Sequence, residues 1–138
     1  MVGIFALFSI EQVEAQPRPH DSYTFTLDTL TNTGTVNFDY PYVLQPSKKG
    51  GLYSLSFQLE STQLTGTSDA TCTLWQSNSD TPSTTDWALT TSTADLDATE
   101  DEIIEVANFY GAQTRCSCVG TGTQSTQLKV ILRVIQKE

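Results

Sequence analysis

The side chains with the clearest chemical potential are three cysteines, one histidine and a run of acids. Cys116 and Cys118 are two apart, so in a strand both point to the same face. With Cys72 they make an odd set, which is a poor disulfide framework. The expected state is three free thiols packed as small apolar side chains. A bridge from Cys72 to one of the pair is the alternative. Zinc is not expected, because the one histidine, His20, lies in the Pro-rich stretch "QPRPH" and no CxxC spacing exists. The same shortage leaves a serine or cysteine nucleophile without a base.

Asp95, Asp97, Glu100, Asp101 and Glu102 form the densest group of carboxylates. Glycoside hydrolysis needs two carboxylates facing each other across a sugar, and calcium needs several hard oxygen donors around one point. The run lacks the regular spacing of a calcium loop, so it reads as a solvated edge. "GTGTQST" has no lysine after it and serves a hairpin turn, not a phosphate. Trp75, Trp87 and Tyr110 could stack on sugar rings; Trp87, which follows a polar loop, is the foremost candidate contact aromatic. No catalytic residue, metal or cofactor is expected.

The elements that position these residues read as strands. "SYTFTL" sets Tyr23, Phe25 and Leu27 on one face and threonines on the other. "TVNFDY" sets Val36, Phe38 and Tyr40 inward. "LYSLSFQLE" does so for Tyr53, Leu55, Phe57 and Leu59, and "TCTLWQS" divides Cys72 and Leu74 from Trp75. "TTSTADLDATEDE" is a loop or a short helix capped by Thr99, with Glu102 three residues on. In the last strand Leu128, Val130, Leu132 and Val134 share a face, with Ile131 and Ile135 on the other. Seven or so short strands separated by Gly, Pro, Asn and Asp turns predict an all-β fold, a single antiparallel β-sandwich with immunoglobulin-like or jelly-roll-like connectivity. The predicted organisation is an N-terminal arm and linker over 1–21 and a sandwich domain over 22–138.

The 138 residues suit one domain. A net charge of −9, with 7 basic residues, argues against a nucleic-acid surface and against binding to an anionic membrane. The N-terminal "MVGIFALFSI" stands out against this polar background. It lacks the basic residues that open a signal peptide, and it is half the length of a membrane span. The proline pair Pro17 and Pro19 stiffens the linker behind it. The favoured reading is an extended apolar arm whose Ile4, Phe5, Leu7, Phe8 and Ile10 pack on a partner; a strand folded back on its own domain is the alternative.

Two stretches carry a family resemblance. "LYSLSFQLESTQLTGTSDATCTLWQSNSD" followed by "DW", and "NFYGAQTRCSCVGTGTQSTQLKVILRVI", are similar to small β-sandwich structural proteins of tailed bacteriophages. The resemblance covers Leu52 to Ile135, and Gln113 and Thr114 depart from its pattern. It implies a virion component: a head decoration or cement subunit, or a connector or tail part. The partners it implies are the major capsid protein or other virion proteins, in a homo-oligomer or many-copy assembly on the particle surface. It supplies no catalytic residues. The competing expectation is a carbohydrate-binding or adhesion module, for which a secreted form would carry a Cys72 bridge.

Overall fold

The computed structural model describes residues 21–44 and 53–136, all of them strand, turn or loop. Nine strands run in order: β1 (Asp21–Thr24), β2 (Asp28–Thr31), β3 (Thr35–Asp39), β4 (Tyr53–Gly66), β5 (Ala70–Ser77), β6 (Ala88–Leu96), β7 (Glu100–Phe109), β8 (Gln113–Gly120) and β9 (Gln124–Gln136). The arm residues Ile4, Phe5, Leu7, Phe8 and Ile10 lie outside the described residues.

The strands form two antiparallel sheets. One has the order β1-β9-β4-β7, with β2 also paired to β9; the other has the order β3-β8-β5-β6. β1 and β2 lie end to end along β9, at Ile131 to Val134 and at Ser125 to Leu128. Between them Phe25 still donates its N–H to the Val130 carbonyl, at 3.0 Å. Counted as one interrupted strand, they complete eight positions in which first pairs with last, second with seventh, third with sixth and fourth with fifth. That nesting is the jelly roll, and it decides between the two connectivities left open by the strand pattern.

The period-two alternation is realised. Phe25, Phe38, Leu55, Phe57, Leu74, Leu128, Val130 and Leu132 are all buried in one core between the sheets. Burial alternates along β4 from Tyr53 to Ser61 and along most of β9. Rings close the core near the start of the chain. Phe25 stacks on Phe57 with centroids 6.3 Å apart and meets Phe38 edge-on at 5.7 Å. Ile131 and Ile135, on the outer face of β9, are half-buried.

Two expectations are corrected here. Leu27 is 52% exposed and does not share the buried face of Phe25, because the strand breaks between β1 and β2 and the alternation lapses. The Thr99 to Glu102 stretch is no helix. Thr99 closes a tight turn from β6 and Glu100 to Glu102 open β7; in the turn the Asp97 N–H donates to Glu100 Oε1 at 2.7 Å and Thr99 Oγ1 accepts the Gln63 N–H at 2.9 Å.

At one end of the sandwich a single buried side chain ties three turns together. Gln124 Nε2 donates to the Asp69 carbonyl at 2.6 Å, the Thr121 carbonyl at 2.7 Å and the Asn32 carbonyl at 3.4 Å. Its Oε1 accepts the Asp69 N–H at 3.1 Å and the Thr126 hydroxyl at 3.0 Å. Asn32 takes the left-handed conformation that its turn needs, with φ of 51°. Gly120 must be glycine for packing: a Cβ there would lie 2.2 Å from the Asn32 oxygen.

Candidate ligand-binding face

The outer face of the four-stranded sheet carries a cross-strand row. Asp39 on β3 pairs with Arg115 on β8, Arg115 with Trp75 on β5, and Trp75 with Leu89 on β6. Directly opposed residues in an antiparallel sheet put their side chains on one face, side by side. Thr73 and Thr93 pair in the row below. The step up to Trp75 and Leu89 crosses a bulge, where one residue of β5 faces three of β6. There the Thr90 hydroxyl donates to the Leu74 carbonyl at 2.8 Å.

Arg115 is the hub of this row. Its guanidinium grips Asp39 with two nitrogens, Nη2 to Oδ2 at 2.9 Å, in the forked geometry that suits a carboxylate. Its guanidinium carbon lies 4.2 Å from the centroid of the Trp87 ring, a cation–π contact. Trp75 turns its indole N–H to the Thr73 hydroxyl at 3.0 Å. Leu89, beside it, is 56% exposed. Trp75 and Trp87 therefore both flank Arg115. Tyr110 is not part of the row: it comes after β7 and is 73% exposed.

Next to this row, where β5 ends and the loop to β6 returns, lies a pocket of about 290 Å³ lined by Gln76, Ser77, Asn78, Ser79, Asp86 and Ala88. Its walls are held by local hydrogen bonds. The Ser79 N–H donates to Ser77 Oγ at 3.1 Å, and Gln113 Nε2 donates to the Asp80 carbonyl at 3.1 Å. Asp86 Oδ2 accepts the Ser83 N–H at 2.7 Å and the Ser83 hydroxyl at 2.9 Å. Those two bonds, the backbone one first, hold the Asp86 carboxyl below its ordinary pKa. Gly111 lets β8 approach closely; a Cβ there would stand 3.2 Å from both Gln76 Cβ and the Ser77 carbonyl.

The acidic run does not converge. Asp95 accepts the Thr71 hydroxyl at 3.0 Å on the outer face of one sheet, while Asp101 stands opposite Glu60 in the other. Among the described residues, the one group of three or more metal-capable side chains with neighbouring donor atoms is Cys72, Cys116 and Cys118, whose sulfurs lie within 4.8 Å of one another.

This cluster overturns the expectation of three free thiols. Cys72 and Cys118 are joined in a disulfide, and Cys116 alone is free. The reason is register. β5 and β8 pair so that Cys72 lies directly opposite Cys118, while Cys116 faces Leu74. All three are fully buried, and loss of water pushes the Cys116 thiol up to about 12.

No family model matches the chain, and no curated protein matches it in sequence. Solved structures do. A mitogen derived from Yersinia pseudotuberculosis aligns over 83% of this chain and 86% of its own, at 12% identity and a TM-score of 0.51. PirA aligns over 86% of this chain and 97% of its own, at 11% identity and a TM-score of 0.55. A pilus protein of Bacillus endospore appendages covers 95% of this chain and all of its own, at 11% identity and a TM-score of 0.45. At such identities the first two speak to the fold alone, and the chain shares its β-sandwich architecture with them.

Proposed function

We propose that the chain is a non-catalytic structural subunit of a tailed-phage virion, with a decoration or cement role on the head as its place. The observation that carries this reading is the jelly-roll nesting of its strands, in which both sheets close on one core and their outer faces remain for contact. Jelly rolls recur in capsid proteins, and the resemblance of Leu52 to Ile135 to phage structural proteins points the same way. The apolar arm would add attachment energy. Burial of each large side chain among Ile4, Phe5, Leu7, Phe8 and Ile10 contributes about 1.5–3 kcal/mol before the cost of ordering and association. The test is co-purification with particles. The full chain is expected to band with capsids, and a chain lacking residues 1 to 16 is expected to melt unchanged but stay unbound. A full chain that never associates with capsids or tails refutes the reading.

A second reading, a carbohydrate-binding or adhesion module, is favoured by Trp75 and Trp87 flanking Arg115 beside a polar pocket. The Cys72–Cys118 disulfide also suits it, because such bonds form and persist in oxidising compartments. Binding to immobilised glycans, with loss on Trp75→Ala, tests it; equal binding by that variant and the parent speaks against it.

A further inference from the structure

We infer that the pocket between the end of β5 and the start of β6 binds one uncharged sugar unit through Gln76, Asn78 and Asp86. This rests on the carbohydrate-binding reading above and assigns its primary subsite. The volume of about 290 Å³ is at the small end for ligand pockets and suits a single ring better than an extended chain.

The chemistry of the lining selects the ligand. The side-chain amides of Gln76 and Asn78 make no hydrogen bond to another described residue, so their donors and acceptors are free for a ligand. Ser83 lowers the Asp86 pKa and occupies its Oδ2 from two directions, which leaves Oδ1 as an acceptor. A carboxylate and two side-chain amides in one pocket lining suit the hydroxyls of a sugar, which both give and take hydrogen bonds. The same carboxylate, on a chain of net charge −9, repels sialic acid, sulfate and phosphate groups. With one carboxylate in the lining, the pocket is too poor in charged oxygens for a dedicated calcium site.

The pocket is also preorganised. Ala112 donates its N–H to the Ser77 carbonyl at 2.8 Å, and Leu44 donates to the Ala112 carbonyl at 2.7 Å, so the β5 end is tied through β8's leading turn to the segment after β3. With the Ser77 side of the pocket already tied down, less ordering remains for a ligand to offset. Trp87 stands in sequence between the lining residues Asp86 and Ala88 but turns its ring to Arg115. Its contribution is to hold the rim in place.

The experiment titrates the full-length chain with methyl glycosides of glucose, galactose, mannose and N-acetylglucosamine, and with sialyllactose and a sulfated disaccharide. A neutral glycoside is expected to bind. Asn78→Ala and Gln76→Ala are expected to weaken it about tenfold each with melting unchanged, and Asp86→Asn, which keeps an acceptor for Ser83, by about tenfold to a hundredfold. Binding that is lost on Trp75→Ala yet indifferent to the three pocket variants overturns the pocket and leaves the module reading standing. Binding confined to the anionic sugars overturns the pocket too. No binding to any of the sugars overturns both.

Discussion

Cys72 and Cys118 stand directly opposite each other on β5 and β8, with Cα atoms 4.0 Å apart, and are covalently joined. The bond closes a loop with a sequence separation of 46 residues, from near the start of β5 to near the end of β8. A loop of that length restricts the unfolded chain and stabilises the folded one by about 2–5 kcal/mol. Cys72→Ala with Cys118→Ala is therefore expected to lose that much in a denaturant titration. A dithiol should lower the midpoint of the parent but leave the double variant unmoved.

Cys116 is expected to be chemically silent. Its thiol is buried and pushed up to about 12, so thiolate is scarce in the folded chain at neutral pH. Alkylation at pH 8 should label no cysteine in the native protein and one after unfolding without reductant. The raised value fixes a sign. The folded chain holds the proton more tightly than the unfolded one, so this contribution is complete below the ordinary thiol pKa of 9.0 and fades as pH climbs toward about 12. A titration of melting temperature above pH 9 in the parent and in Cys116→Ala measures it, with the parent falling more steeply.

Gln124→Ala should be among the more damaging polar substitutions. It removes both ends of a buried amide at once, leaving the Thr121 carbonyl and the Asp69 N–H to find other partners, while the Asp69 carbonyl keeps the Thr121 N–H. Each buried group left unsatisfied costs about 1–3 kcal/mol. The loss is expected in equilibrium unfolding, and amide exchange of Asp69 should quicken more than exchange in the middle of β4.

Leu132→Ala tests the core assignment. Leu132 has no exposed surface, pairs with Phe57 on β4 and Tyr23 on β1, and lies on the core face of β9. Its truncation is expected to cost about 2–5 kcal/mol in a denaturant titration. Ile131→Ala, one position along and on the outer face, should cost clearly less.

Much of the fold is written in the period of the sequence. Val36 and Phe38, Leu55 to Leu59, and Leu128 to Val134 each announce a buried face, and each is buried. Two sheets packed on one core are the direct consequence. Connectivity is not, because the alternation of β9 is the same whichever strand lies beside it. The disulfide was hidden for the same reason. Cys116 and Cys118 are equivalent in pattern, and only the register of β5 against β8 places one of them opposite Cys72. Trp87 was legible as a residue type at the end of a polar loop. Its partner Arg115 was not, since 28 residues separate them and they meet only in the folded sheet. The pocket left its trace in "QSNSD" as a cluster of small polar residues, which in sequence reads as an ordinary turn.

The nesting of strands also dictates an order of assembly. β5 and β6 are consecutive strands joined through the loop 78–87, whereas β1 meets β9 only when Asp21 reaches Val134. Closing the inner turn first shortens every loop that remains, so the chain is expected to fold from its middle outward and its two ends to dock last. The Cys72–Cys118 bond encloses most of β5, all of β6 and β7 and most of β8. Oxidation therefore locks the early part of the route. The late part, in which β1 and β2 settle on β9, is left free to fray and reclose.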